Sequence, residues 1–340
     1  MDTTIFYFFI NESQDRYNAL ALTYSHRLVI FLREYNSNMT KSTQVRFFII
    51  GMQIASKLPR SMIIIIAKIL MAIGYLFASG SRKIIRKNLM YCQSRRLSYN
   101  TFKTFMNYAV YLSDLLRIPV IDMSHLKDLV EVKGLQNLDE TLALNRGVIL
   151  TTAHLGNWDL AGVYVASLGY PLTAVVEEIP ELSEFYNSLR TKTGMQTLFM
   201  RERDEMTKAI KNKRILVLVG DRDLTGRGIP VKFLNGEKPI PRGLASFSIK
   251  YNVPIIFGYF VMEKNNNKIY KAEISKPIFP DNRTFEELSQ MIADQLSECI
   301  KQYPTQWLVF RDEWLNSALI DKDAKSEIKY QSDIKNNSGV

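Results

Sequence analysis

The chain has 340 residues, 46% of them hydrophobic and 23% charged, which is enough apolar material for a sizeable core and excludes a disordered or fibrous protein. Its two cysteines, Cys92 and Cys299, lie far apart with no CxxC or other ligand spacing, which argues against a disulfide framework or a zinc site and fits a reducing compartment. The net charge of +10 is uneven: residues 1–100 hold 14 Lys+Arg against 4 Asp+Glu, whereas the rest of the chain carries 30 of each.

The first residues, "MDTTIFYFFINESQD", contain an apolar run that is too short and too acidic in its flanks for a secretory leader. Two apolar runs follow. "RFFIIGMQIAS" is broken off by "KLPR", and residues 61–79, "SMIIIIAKILMAIGYLFAS", are hydrophobic apart from Lys68. The second run approaches the length of a membrane span, but a central lysine costs about 3 kcal/mol on insertion scales. Helices lying in the interface are therefore expected, with Pro59 turning the chain between them. "SRKIIRK" at 81–87 would then sit among anionic headgroups on the cytoplasmic side. The alternative is a helix buried in a soluble core, which periodicity does not distinguish. A nucleic-acid partner does not fit, because basic arms that track phosphates are not this apolar.

Residues 100–118 read as an Asn-capped helix with one apolar face. From about residue 130 short apolar runs at 147–153, 172–176, 214–220, 254–260 and 269–274 alternate with helix-like stretches at 158–168, 181–193, 203–212 and 241–251. This alternation predicts an α/β fold: a mostly parallel sheet flanked by helices, with antiparallel strands late in the chain. A T-x-x-E capping box from Thr284 to Glu287 opens a helix over 284–302. The expected organisation is a basic, membrane-associating helical region at 1–125, a catalytic α/β domain at 126–320 and a disordered polar tail at 321–340.

Ligands of α/β sheets bind at the carboxyl ends of the strands. There, "GVILTTAHLGNWDLAG" puts His154 at a strand end, Gly156 and Asn157 in a turn, and Asp159 in the first turn of a helix. With that break, Asp159 can accept from one imidazole nitrogen while the other takes a proton from a hydroxyl. The structural alternative is a satisfied histidine and an aspartate serving the helix dipole.

A second cluster, Asp221, Arg222 and Asp223, ends another apolar strand. It fits an acceptor-binding turn, a D-x-D metal site for a nucleotide-sugar, or a salt-bridged loop, although Arg222 opposes a cation between the aspartates. Arg190, in the stretch following Glu177, suits a phosphate or an oxyanion, or simply a solvated helix face. Neither G-x-S-x-G nor a P-loop is present, so an acyl-enzyme serine hydrolase and a P-loop nucleotidase lose ground.

Taken together, H-L-G-N-W-D at 154–159, "LRTKTGM" at 189–195, "GDRDLTGRGIPVKFLNG" at 220–236, "PRGLASFSIKYNVPII" at 241–256 and "YPTQWLVFRDEW" at 303–314 resemble the bacterial lipid A biosynthesis acyltransferase family. That family includes the phosphatidylinositol mannoside acyltransferases and falls within the lysophospholipid acyltransferase superfamily. The resemblance runs over roughly residues 50–315. It implies a glycerol-3-phosphate-acyltransferase-like layer and a membrane-associated O-acyltransferase, peripheral or single-pass on the cytoplasmic face of the inner membrane. The enzyme would move a fatty acyl chain from acyl-carrier protein or acyl-CoA to a hydroxyl of a lipid or glycolipid. No cofactor or metal is implied, and a monomer is expected. His154 would be the general base and Asp159 its orienting carboxylate. Asn157, Glu177, Arg190, Asp221, Arg222 and Asp223 would bind substrate.

The alternatives kept open are a metal-dependent glycosyltransferase using Asp221 and Asp223, and an inactive membrane-binding relative. One departure stands out. The family's final block usually reads W-x-x-x-H-R-R-W, whereas Trp307 and Trp314 here enclose Arg311, Asp312 and Glu313. Two expected positive charges have become negative, which matters if the block touches an anionic acceptor.

Overall fold

The computed structural model describes residues 43–178 and 194–315, so the expectations for 1–42, for Arg190 and the helix at 181–193, and for the tail at 321–340 lie outside the described residues. Among the described residues four helices come first: α1 (Thr43–Lys57), α2 (Arg60–Phe77), α3 (Ser79–Tyr91) and α4 (Leu97–Arg117). Pro59 separates α1 from α2, since a proline disfavours helical backbone at the residue before it. The Arg117 guanidinium donates to the carbonyls of Ala55 and Leu58, satisfying acceptors left free at the end of α1. The start of α2 is fastened by a bidentate pair: Arg60 Nε and Nη2 lie 2.7 and 2.9 Å from the Asp114 carboxylate of α4. Asp114 also accepts from the Tyr270 hydroxyl, which ties these helices to the sheet.

The α-helices and strands that follow among the described residues are α5 (Met123–Leu129), β1 (Val130–Lys133), α6 (Leu135–Ala143), β2 (Val148–Thr152), α7 (Trp158–Ser167), β3 (Leu172–Val176), β4 (Gln196–Phe199), α8 (Arg203–Lys211) and β5 (Ile215–Val219). They continue with β6 (Ile229–Phe233), β7 (Gly236–Ile240), α9 (Gly243–Tyr251), β8 (Ile255–Asn265), β9 (Lys268–Ile274) and α10 (Phe285–Gln302). Seven strands form one sheet in the order β1-β9-β8-β2-β5-β3-β4. Every neighbouring pair is parallel except β8 with β9. Those two are joined by a two-residue turn in which Asn266 takes positive φ, as tight hairpins require.

Strand alternation sends side chains to two cores, which makes a three-layer α/β sandwich. Ile149, Leu216, Ile255 and Phe257 pack with residues of α8, α9 and α10, and Val148, Leu150, Ile215 and Ile256 pack on the other face with α6 and α7. Residues of α4, α5 and α7 share a further cluster on that second face. The predicted capping box forms, with Thr284 accepting from Glu287 N and the Glu287 carboxylate accepting from Thr284 N.

Three features escape a reading of apolar runs. β1 is a four-residue "VEVK", and β4 is the equally short "QTLF". β6 and β7 form a separate antiparallel ribbon in which Pro230 faces Pro239, residues that suggest loop when read along the chain. That ribbon carries Lys238 into the core.

The expectation of an apolar surface helix at 61–79, rather than a core helix, agrees with the packing. α2 packs on α4 through one side. Ile65, Ile69, Leu70, Ile73, Leu76 and Phe77 stand between 53 and 82% exposed. Only 6% of the helix is buried, whereas a core helix is mostly buried.

Candidate active site

β2 ends at Thr152, and its parallel neighbour β5 ends at Val219 in register with it, so the segments that follow emerge side by side. His154 leaves one and Asp221 leaves the other. The Asp221 carboxylate lies 2.7 Å from His154 Nδ1 and also accepts the His154 backbone N–H at 3.1 Å and the Trp307 indole N–H at 2.8 Å. A carboxylate at Nδ1 selects the tautomer with the proton there and leaves Nε2 as the basic nitrogen. Asp221 is fully buried. Burial pushes its carboxyl up, but the facing His154 imidazole, the Lys238 ammonium and the Trp307 donor outweigh this and hold it well below the usual carboxylate range.

Asp159, expected at that nitrogen, sits in the first turn of α7 as predicted, but its buried carboxylate accepts the Tyr111 hydroxyl at 2.6 Å. Tyr111 stacks on Trp158 at 4.3 Å between ring centroids, and Trp158 meets the His154 ring edge-on at 5.0 Å. The imidazole is thus held by Asp221 in its plane and by Trp158 against its side. His154 and Asp159 both line the cavity, with Asp221 at the imidazole and Tyr111 at the Asp159 carboxylate.

The loop that carries His154 is clamped at both ends. The His154 carbonyl accepts Leu308 N at 2.8 Å, Gly156 N donates to Gln306 O, and Asn157 N donates to Phe260 O. Asn157 is fully buried and caps α7, its side chain accepting Leu160 N at 3.1 Å. It does not line the cavity, whereas Glu177, Arg222 and Asp223 do. Asp223 shapes the following turn by accepting from Thr225 N and Gly228 N. Because Asp221 and Asp223 are each bound up with different protein donors, the D-x-D reading loses its convergent pair. Arg190 lies outside the described residues.

The cavity beside His154 measures about 1120 Å3 and spans the carboxyl edge of the sheet. Ala174, Val176, Val217 and Leu218 give it an apolar floor, and Met195, Met206, Leu244 and Phe247 extend that floor. Methionines suit such a surface, since an unbranched thioether adapts to a flexible ligand. The remaining wall is mixed, with Trp158, Leu224, Leu308 and Phe310 beside Glu177, Arg203, Arg227 and Arg242, so the space can take an acyl chain and hold charged groups at its rim.

Residues 32–316 match the sequence profile described as bacterial lipid A biosynthesis acyltransferase. The chain belongs to that family. It is similar to two proteins named phosphatidylinositol mannoside acyltransferase: that of Mycolicibacterium smegmatis, 26% identical over 62% of this chain and 70% of the relative, and that of Mycobacterium tuberculosis strain H37Rv, 25% identical over 62% and 68%. A solved structure, the 1-acyl-sn-glycerophosphate acyltransferase PlsC from Thermotoga maritima, superposes with a TM-score of 0.34 and 15% identity, covering 62% of this chain and 89% of that one. The protein is a lipid acyltransferase of the lipid A biosynthesis family.

Within that family pattern the acidic substitutions near the C-terminal tryptophans acquire a place. Glu313 is nearly buried and accepts from Lys238 Nζ at 3.0 Å, with Arg222 Nε 3.5 Å away; Asp312 pairs with Lys87 at 2.7 Å. Lys238, 1% exposed, also donates to the Asp221 carbonyl and lies over the rings of Phe233, Trp307 and Trp314. Glu313 therefore neutralises a buried lysine beneath Asp221. Trp307 holds Asp221, whereas Trp314 stacks on Tyr91 at 3.6 Å and donates to Asn88. Sequence reasoning missed Tyr111, which is one aromatic among several in an amphipathic helix, and Lys238, which is concealed in a proline-bearing ribbon. Trp307 had a signal, its seven-residue spacing from Trp314.

Proposed function

We propose that this acyltransferase moves a fatty acyl group from a thioester donor, acyl-CoA or acyl-carrier protein, to a hydroxyl of a membrane lipid or glycolipid, with His154 as general base and Asp221 as the carboxylate that orients it. The observation that carries this reading is the His154–Asp221 pair at the edge of a cavity with an apolar floor and a basic rim.

His154 Nε2 takes the proton of the acceptor hydroxyl as its oxygen bonds to the thioester carbonyl carbon. The tetrahedral intermediate collapses by breaking the carbon–sulfur bond, and the proton held by the imidazolium passes to the thiolate. An ester and a free thiol result, with no covalent enzyme intermediate. The growing positive charge on the imidazole is stabilised by the buried, ionised Asp221. Asp159, fixed by Tyr111, and Arg222 remain candidates for holding the acceptor, and Arg190 for the developing oxyanion. The exposed face of α2 and the basic α3 bring this site to an anionic membrane surface.

The test is His154→Ala in the full-length protein, assayed by mass spectrometry of lipids acylated from a labelled thioester. Transfer is expected to fall at least about 1000-fold, with folding and vesicle binding intact. Turnover like that of the unsubstituted enzyme in this variant would overturn the mechanism.

A further inference from the structure

Among the described residues, the cavity wall carries five arginines against three carboxylates. Three of the arginines, Arg203, Arg227 and Arg242, come from separate segments: the first residue of α8, the loop between β5 and β6, and the residue preceding α9. All three are exposed and, among the described residues, none of their side chains pairs with a carboxylate; Arg242 lies over the Phe285 ring at 4.6 Å. The starts of α8 and α9 lie on the same wall, and the positive ends of two helix dipoles add to the guanidinium charge. Such a rim attracts a phosphate or diphosphate, for which the guanidinium fork is well matched.

Two kinds of molecule bring phosphate to this reaction, the thioester donor and a phospholipid acceptor, and the layering separates them. α8 and α9 pack on one face of the sheet. The apolar surface helix α2 packs on α4, on the other face, and from it a series of rings leads inward: Tyr75 to Phe105, Phe105 to Phe310, Phe310 to Tyr108, Tyr108 to Tyr111, and Tyr111 to Trp158 beside His154. A lipid arriving from a membrane touching α2 meets this aromatic side first. Arg203 and Arg242 stand at the starts of α8 and α9, the helices of the opposite face.

We propose that Arg203, Arg227 and Arg242 form the binding site for the phosphate-bearing part of the acyl donor, the phosphopantetheine diphosphate of a coenzyme A thioester or the phosphodiester of a carrier-protein thioester. The acyl chain then runs over the Val217 and Phe247 floor, and the thioester carbonyl sits at His154 between the two entrances. This assignment rests on the acyl-transfer reading above.

The experiment compares Arg203→Gln, Arg227→Gln, Arg242→Gln and the triple variant, as full-length enzymes on acceptor-containing vesicles, with three donors of equal chain length: acyl-CoA, acyl-carrier protein and the phosphate-free N-acetylcysteamine thioester. With whichever phosphorylated donor the unsubstituted enzyme uses, each single variant is expected to raise the donor KM about tenfold and the triple variant about 100-fold or more. Rates with the phosphate-free thioester stay within about twofold, which also reports correct folding. A parallel loss with all three donors, no change in donor KM, or a rise in KM for the acceptor instead overturns the assignment. Absence of transfer from every thioester by the unsubstituted enzyme is a different result, and it overturns the acyl-transfer reading itself.

Discussion

Asp221 is subject to opposing forces. Burial disfavours its charge, and the His154 imidazole, the Lys238 ammonium and the Trp307 indole restore it with interest, leaving a carboxyl that titrates below its usual range. Because its pKa is lower in the folded than in the unfolded chain, this cluster stabilises the fold at pH values above the ordinary carboxylate range. That contribution is lost as the pH falls toward the depressed folded value. Asp221→Asn is therefore expected to flatten the acid limb of a stability-against-pH curve measured by chemical denaturation. It should also lower kcat about 100-fold or more by removing the charge that supports the imidazolium; an unchanged acid limb would show that Asp221 is not ionised in the fold. His154 was legible in the sequence because it stands at the end of an apolar strand. The carboxylate at its Nδ1 was not, because a partner 67 residues away competes with one five residues away and spacing favours the nearer.

The β2–α7 connection shows how an element places a side chain. Gly156 has φ +64°, and a Cβ there would come 2.1 Å from the Phe260 carbonyl oxygen and 2.8 Å from Val261 Cα, both backbone of β8. The loop must press against β8 for Asn157 to cap α7 and for His154 to face β5's end, and only glycine permits that approach. Gly156→Ala is expected to destabilise the fold by at least about 2 kcal/mol and to abolish most transfer, read from a denaturation midpoint and a rate on the same preparation; a variant with both properties unchanged would remove the loop from this account. Here the sequence was informative: Gly156 and Asn157 announced a turn, and α7 begins at Trp158 as expected. The β6–β7 ribbon was not visible, because Pro230 and Pro239 hide an antiparallel pairing that is stabilised only once it packs on α10.

At the scale of the molecule, an apolar helix lies on the outside, beside the basic helix α3 with Arg82, Lys83, Arg86 and Lys87. Water is a poor solvent for that face and a lipid interface a good one. Changing Ile65, Ile69 and Ile73 to Gln together is expected to lower partitioning onto anionic phospholipid vesicles at least about tenfold in a sedimentation assay, at about 1 kcal/mol or more per side chain withdrawn from the interface. Thermal stability should hardly change, because these side chains are more than half exposed. A collapse of the fold with binding intact would make α2 a core element.

The sequence by itself determined the basic, apolar N-terminal region, the α/β alternation, the two polar strand ends at His154 and Asp221 and the family blocks. All of these depend on local periodicity, on turn residues or on ordered motifs, which are written along one dimension. The tertiary structure decided which carboxylate meets His154, that Glu313 faces Lys238, and that α8 and α9 cover the face of the sheet opposite to α4, on which the apolar helix packs. Those are relations between segments far apart in the chain, set by strand order and by which face of the sheet each helix covers, and no spacing rule reaches them.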